Sequence, residues 1–145
     1  DEGSVRSAPA LERSRSLFYL ADAITPWPAQ TVRWALEFTG GFFEGTASPS
    51  TRVRLIGRLG LEPLLDSTIG SLSKGQRKLA LLALALLMPH ALLLLDEPFD
   101  GLDLRQTRDV AALLRDAHVC VVPARHPLVP AEGIGAICRY PARSD

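Results

Sequence analysis

Residues 92–98 read LLLLDEP, so four leucines are followed directly by Asp96, Glu97 and Pro98. A short apolar run bounded in this way predicts a buried strand of a parallel sheet, because such strands are covered on both faces. In an open parallel sheet, ligands bind beyond the carboxyl ends of the strands. The two acids are therefore expected at the edge of a binding site. A strand can also end in two acids simply because the chain leaves the core there.

The two adjacent carboxylates can perform separate tasks, because successive residues of an extended chain point in opposite directions. One can hold a magnesium ion while the other orients or deprotonates an attacking water molecule. A second motif, LSKGQ at residues 72–76, ends twenty residues before Asp96. Ser73 is predicted to cap a helix there, and the N–H groups and dipole of a helix N-terminus favour an anion such as phosphate. By itself this pentapeptide could equally be an ordinary helix start.

Together the two motifs resemble those of ATP-binding cassette (ABC) ATPases. Residues 92–98 are similar to the family's Walker B strand, and residues 72–76 are similar to its signature motif, with a lysine where the family often has glycine. The resemblance implies that Asp96 binds magnesium and that Glu97 is catalytic. It also implies that the nucleotide is contacted by Leu72, Ser73, Lys74, Gly75 and Gln76.

Two further segments extend the resemblance. Residues 99–103, FDGLD, are similar to the family's D-loop with Asp103 in its aspartate position, which adds Asp103 to the nucleotide contacts; alone they could be a plain turn. His126 follows Glu97 by 29 residues and stands where the family carries a switch histidine, although Arg125 replaces the usual hydroxyl residue before it. A neutral imidazole there could contact the terminal phosphate, so the resemblance implies a catalytic His126. A lone histidine could otherwise be a solvated loop residue.

The loop after residues 17–20 falls where the family has a glutamine that touches magnesium and connects to the transmembrane partner. Here Asp22 matches that position, as a candidate metal ligand or simply an exposed acid. The family's phosphate loop, G-x-x-x-x-G-K-[ST], is absent, because neither Lys74 nor Lys78 has the required glycine spacing. Residues 1–5 resemble the family segment shortly after that loop's helix. We therefore expect the loop upstream of residue 1 and expect this stretch alone to be inactive.

Apolar runs of strand and helix length alternate along the chain, which predicts an α/β fold with a parallel sheet covered on both faces. Gly40 and Gly41 are expected to end the first helix, and Gly60 to separate two short helical pieces. The predicted strands are 17–20, 92–95, 119–122 and 134–140. The predicted helices are 31–43, 53–59, 62–65, the segment between the signature motif and Pro89, and 104–117.

The most apolar stretch, residues 79–95, approaches the length of a membrane-spanning helix. Lys78 and Asp96 bound it tightly, and Pro89 and His90 interrupt it. We therefore predict a helix, a turn and a strand rather than a membrane span.

The 145 residues suffice for one domain with a substantial core. Sixteen basic residues balance sixteen acidic ones, so no charge excess indicates a nucleic-acid surface or a polybasic membrane anchor. Cys120 and Cys138 lie in short apolar runs and are predicted to be buried thiols of a reducing compartment. The chain begins at Asp1 without a charged and then apolar leader, so we expect a cytosolic protein that is incomplete at its N-terminus.

The resemblance implies a P-loop NTPase-like parallel sheet core, incomplete in this chain, with a small helical subdomain. Residues 1–30 and 91–145 are expected to form the RecA-like core, and residues 31–90 the helical subdomain that ends in the signature helix. The implied function is that of an ATP- and Mg²⁺-dependent ATPase subunit of a bacterial single-cassette ABC transporter, peripheral at the cytoplasmic face of the membrane. Its implied partners are a second cassette and transmembrane permease subunits, with no nucleic acid. The alternative is an inactive or regulatory cassette that binds a partner without hydrolysing ATP.

Overall fold

The computed structural model describes residues 17–22, 24–42, 48–88, 90, 92–116 and 120–124. Two 3-10 helices, Glu62–Leu64 and Ile69–Ser71, lie between the second and third α-helices. Within the described residues the strands and α-helices are, in chain order, β1 (Leu17–Leu20), α1 (Val32–Phe42), α2 (Pro49–Leu59), α3 (Lys74–Leu87), β2 (Leu92–Asp96), α4 (Leu104–Asp116) and β3 (Cys120–Ala124). This mixture of strands and helices confirms the predicted α/β class.

The three strands form a parallel sheet in the order β1, β2, β3, so β2 is the central strand of the described sheet. Leu93 of β2 is in register with Phe18 of β1 and with Val121 of β3. Leu93 and Leu95 are almost completely buried, as expected for a strand that is covered on both faces. The parallel arrangement brings the carboxyl ends of β1 and β2 to one edge of the sheet, where the predicted acids follow.

Helix α3 is the centre of the apolar core. It contacts α1, α2 and β1, and consecutive residues along its second half are buried, so it is covered on every side. This explains why residues 79–87 have no polar face. Among the described residues, no helix is both long enough and apolar enough to cross a membrane. The prediction of a helix followed by a strand over residues 79–95 is confirmed.

Helix α1 continues through Gly40 and Gly41 to Phe42, so the prediction that the glycines end it was wrong. A glycine inside a helix costs roughly 1 kcal/mol relative to alanine, which packing can offset. Here the continued helix places Phe42 one turn after Phe38, and their rings stack with centroids 5.3 Å apart. The opposite face of α1 is buried through Val32, Ala35 and Leu36, among others.

Helix α2 begins at Pro49, four residues before the predicted start at residue 53. The Ser48 hydroxyl accepts a hydrogen bond from the Thr51 N–H at 3.3 Å, and a proline is well accommodated in the first turn. The predicted break after α2 is confirmed, because Gly60 ends the helix in the left-handed conformation with a φ of 63°.

The third described strand, β3, begins and ends slightly later than the predicted range 119–122 and pairs with β2. Helix α4 begins at the predicted residue 104. The strand predicted over 134–140 and the side chains of both cysteines lie outside the part of the chain that the structure describes.

Candidate functional site

The two predicted acids lie where the central strand ends. Asp96 is the last residue of β2 and accepts a hydrogen bond from the Tyr19 hydroxyl of β1, with 3.3 Å between the oxygens. Desolvation of the phenol, followed by the charge and hydrogen bond of Asp96, raises the pKa of Tyr19. Glu97 has a φ of 44°, a left-handed conformation that is uncommon for a residue other than glycine. The chain therefore turns sharply at the second acid, and both acids remain partly exposed.

Ser73 caps helix α3, as the sequence predicted. The Gln76 N–H donates to Ser73 Oγ at 3.2 Å, and the Ser73 N–H donates to Gln76 Oε1 at 3.0 Å. This reciprocal capping box uses the side chains of both residues to fix the helix start. Leu72, directly before the cap, is buried in the core and anchors the segment.

The start of α3 packs directly against the turn that follows the two acids. A Cβ atom at Gly75 would lie 2.4 Å from the carbonyl oxygen of Gly101, so this contact requires glycine on the helix. Gly101 has a φ of 79°, which glycine adopts without a steric penalty. The predicted signature and D-loop segments are therefore in van der Waals contact within the same chain.

Lys74 connects the loop after β1, which carries Asp22, with the turn after β2, which carries Asp100. Its ammonium group forms an ion pair with Asp100 and lies 3.3 Å from Asp22 Oδ2. Hydrogen bonds with Asp100 and Asp22 raise the pKa of Lys74, and the hydrogen bond from Lys74 lowers the pKa of Asp100. The lysine that replaces the family's glycine is thus paired with two acids of this chain.

Lys78 belongs to the site, and the sequence analysis assigned it no role. Its side chain is only 8% exposed, and its ammonium group binds Asp22 Oδ1 and donates to the carbonyl oxygen of Glu97 at 2.5 Å. The hydrogen bond from Lys78 is the main reason why the pKa of Asp22 is lowered. The sequence did contain one sign of this role. Lys78 is a charged residue that lies one helical turn after Lys74 and directly before the apolar stretch 79–95.

Three carboxylates of the site could share a metal ion. Asp22, Glu97 and Asp100 each offer an oxygen, and these oxygens lie within 4.8 Å of one another. Asp96, the metal ligand that the resemblance implied, is not part of this group. Carboxylate oxygens are the ligands that magnesium prefers, so the donor chemistry fits this ion. The two carboxylate oxygens of Asp22 are engaged by different lysines, Oδ1 by Lys78 and Oδ2 by Lys74. A magnesium ion at Asp22 would therefore compete with the more exposed ammonium group, that of Lys74.

Asp103 has a local structural role that the sequence analysis did not predict. The Gln106 N–H donates to Asp103 Oδ1 at 2.7 Å, and the Asp103 N–H donates to Gln106 Oε1 at 3.0 Å, so Asp103 caps α4. His126 lies outside the described residues, and its role stays a prediction. Of the predicted residues, Asp22, Lys74 and Asp96 border one cavity, together with Leu20, Lys78 and Leu95. Glu97 and the remaining predicted nucleotide contacts do not border it.

Sequence comparisons relate this chain to known proteins. The family model described as "AAA domain, putative AbiEii toxin, Type IV TA system" matches residues 39–119, more than half of the chain. The molybdenum import ATP-binding protein ModC of Aromatoleum aromaticum is 36% identical over 107 residues, which cover 72% of this chain and 28% of that protein. The protein of the same name in Escherichia coli K12 is 44% identical over 62 residues, covering 43% of this chain and 18% of that protein. The chain thus spans less than a third of the length of these relatives.

Solved structures share the fold. The "Structure of ATP binding subunit of ABC transporter" superposes with a TM-score of 0.66 at 22% identity, covering 79% of this chain and 50% of that one. "An inward-facing conformation of a putative metal-chelate type ABC transporter" gives a TM-score of 0.54 at 27% identity, covering 75% of this chain and 48% of that one. Together, the sequence relatives and the solved structures support a P-loop NTPase-like fold, that of an ABC cassette. The chain belongs to the AAA-domain family matched above and is part of an ABC cassette.

Proposed function

We propose that the protein carrying this chain hydrolyses ATP in an ABC transporter and couples hydrolysis to transport by permease subunits. One observation carries the proposal. The acids at the end of the central strand, Asp96 and Glu97, lie beside a capped helix start that packs against the following turn without room for a Cβ atom. This close packing supports the proposed roles, because carboxylates can hold a metal and direct a water molecule, and a helix N-terminus favours phosphate.

The residues have distinct proposed roles. Asp96 holds Mg²⁺, which when bound offsets the negative charge of the transferring phosphoryl group. Glu97 orients the attacking water and accepts its proton, and His126 contributes a neutral imidazole toward the terminal phosphate. Asp22 is a further candidate magnesium ligand, through the oxygen that Lys74 now engages. The proposed nucleotide contacts are Leu72, Ser73, Lys74, Gly75, Gln76 and Asp103.

We further propose that residues 1–30 and 91–145 form the catalytic core and residues 31–90 a helical subdomain. The pairing of β1 with β2 supports this division, because it joins the two core segments across the intervening helices. Two such cassettes would together bind ATP at the cytoplasmic face of the membrane. An exposed aromatic surface, formed by Trp27, Trp34, Phe38 and Phe42, lies mainly on α1. Exposed apolar patches mark interaction sites, so this surface supports a permease contact in the helical subdomain.

The first test is magnesium-dependent ATP hydrolysis by the full-length protein that contains this chain, with and without its membrane partner. Glu97→Gln keeps the size of the side chain but removes the carboxylate that accepts the proton. We expect the turnover rate to fall by about 100-fold or more. The matched control is Glu62→Gln, at an exposed glutamate in the 3-10 helix after α2, which we expect to leave turnover unchanged.

A folded wild-type protein without turnover in either setting would contradict the catalytic proposal. That result would favour the alternative, a regulatory cassette that binds a partner without hydrolysis. Equal turnover of wild type and Glu97→Gln would contradict the assigned role of Glu97 while leaving the ATPase activity in place.

A further inference from the structure

Lys78, the buried lysine of α3, has one partner in the loop after β1 and another in the turn after β2. Lys78 is 8% exposed and lies next to buried residues of the same helix, including Leu79 and Leu82. An ammonium group in such surroundings loses its hydration and is tolerated only where charge and hydrogen bonds replace the water. Among the described residues, Asp22 supplies the carboxylate and Glu97 supplies a carbonyl oxygen.

The carbonyl oxygen bound by Lys78 belongs to the residue with the unusual backbone. Glu97 has a φ of 44°, and a non-glycine residue keeps such a conformation only where its surroundings enforce it. The distance of 2.5 Å from Lys78 Nζ to the Glu97 oxygen is a direct contact with that peptide unit. The Asp100 N–H also donates to this oxygen, at 3.1 Å. Because the allowed side-chain rotamers depend on the backbone conformation, these two contacts restrict the directions open to the Glu97 carboxylate.

We propose that Lys78 is a positioning residue for ATP hydrolysis, which holds the main chain of Glu97 in its left-handed conformation while Asp22 supplies the balancing charge. The inference rests on the proposed function, since it assigns Lys78 a part in the work of Glu97. It also gives Asp22 a second role, as the counter-ion that directs the Lys78 ammonium group toward Glu97.

The two lysines of α3 divide the carboxylate of Asp22 between them. Lys78 takes Oδ1 from the buried side, and Lys74, which is 51% exposed, approaches Oδ2. Lys74 can therefore exchange Asp22 for another partner while Lys78 retains it. Because both lysines lie on one helix, a displacement of α3 moves Lys78 and shifts Glu97 with it. The start of α3 and the water-directing acid are thereby mechanically coupled.

The test compares Lys78→Met with wild type in the full-length protein, by steady-state ATP hydrolysis and by the binding of a fluorescent ATP analogue. Methionine keeps the length and apolar character of the side chain but removes the donor and the charge. We expect kcat to fall by about 10- to 100-fold, because a small misplacement of a catalytic group has an effect of this size. KM and the Kd for the analogue should stay within about twofold of wild type, since binding is not what Lys78 supports. Arg108→Met, at an exposed position of α4 away from the cavity that Lys78 borders, is the matched control with wild-type kcat.

A second pair of variants keeps the test decisive if Lys78→Met does not fold. Lys78→Gln combined with Asp22→Asn removes both charges but keeps a side chain that can donate to the Glu97 carbonyl oxygen. We expect this double variant to retain more kcat than Asp22→Asn alone, which leaves the buried ammonium without its counter-ion. Equal or greater loss in the double variant would overturn the coupling of Lys78 to Glu97 through Asp22.

The outcomes separate the two proposals. Wild-type kcat in a folded Lys78→Met protein would overturn the positioning role, while a loss of turnover in Glu97→Gln would leave the proposed function standing. A parallel fall of kcat and ATP-analogue affinity would also overturn it, because that pattern indicates general damage to the site. An inactive wild-type protein would remove the proposed function and the positioning role with it.

Discussion

Helices α3 and α4 begin with the same local device in different surroundings. Ser73 and Gln76 cap α3 by a reciprocal pair of hydrogen bonds, and Asp103 and Gln106 cap α4 in the same way. Both starts are readable from four residues of sequence, a polar cap followed three positions later by glutamine. Local hydrogen bonding alone therefore does not explain why Lys74 and Gly75 at the start of α3 contact distant segments of the chain.

The difference lies in what touches each helix start. The first turn of α3 holds Lys74 against two acids and Gly75 against the backbone of Gly101. The first turn of α4 instead presents an exposed Leu104, and its Arg105 forms an exposed ion pair, 3.8 Å from Asp109. The comparison shows that a helix N-terminus becomes a candidate site when distant segments of the chain pack against it.

The largest effect that would test this contrast is expected from Gly75→Ala. The added methyl group would lie 2.4 Å from the Gly101 oxygen, so either α3 or the turn must move. We expect the free energy of unfolding to fall by about 3 kcal/mol, as for an overpacked interior site, and ATP turnover to fall with it. Urea denaturation of the full-length protein measures the first effect.

Gly41→Ala on α1 is the control, because nothing lies within 4 Å of the corresponding Cβ position. Alanine is the better helix former, so this variant should match or slightly exceed wild-type stability. If Gly75→Ala were as stable as Gly41→Ala, the close contact between the helix start and the turn would not exist in solution.

Removal of either cap is expected to have a smaller effect than Gly75→Ala, and the effect should be equal at the two helices. Ser73→Ala and Asp103→Ala should each lower the free energy of unfolding by about 1 kcal/mol, because each leaves a helix N–H without its side-chain acceptor. Denaturation profiles of the two variants check this equality. Both variants should also weaken ATP hydrolysis, since Ser73 and Asp103 are both proposed nucleotide contacts. Ser73→Ala should weaken it more, because its helix start also carries the contacts of Lys74 and Gly75. Equal kinetic losses in both variants would mean that α4 contributes to the chemistry as much as α3 does.

The smallest effect is expected in how stability declines as the pH falls into the acid range. The hydrogen bond from Lys78 lowers the pKa of Asp22 below its usual 3.8. This carboxylate therefore stabilises the folded state fully above its unfolded pKa, and the stabilisation is lost as the pH falls through the lowered folded value. Asp22→Asn should reduce stability at neutral pH and flatten the decline below about pH 4.

Thermal unfolding between pH 2 and pH 7 measures this decline, and Gln106→Ala at the start of α4 is the uncharged control. A decline of unchanged steepness in Asp22→Asn would show that the Asp22 pair with Lys78 does not contribute to acid unfolding. The difference between the starts of α3 and α4 would then be explained by packing alone.

The ends of the helices also show how much of the structure could be predicted from the sequence. Ser73 was recognised as a cap because the pattern is local, whereas Ser48 was overlooked inside a polar segment and α2 was placed four residues too late. Gly40 and Gly41 were expected to end α1, but packing of the helix outweighed their low helix propensity. Local signals therefore identified the elements, and their ends were decided partly by contacts outside each element.

The sequence by itself determined the order of strands and helices, the burial of β2 and the appearance of Asp96 and Glu97 at its end. These features depend on apolar periodicity and on neighbouring residues, which the linear pattern records. Only the tertiary structure decided that Gly75 meets Gly101, that Asp22 is shared by two lysines, and that Lys78 binds the Glu97 main chain. Such contacts join residues far apart in the chain, and their distances and burial exist only once the sheet and α3 have packed together.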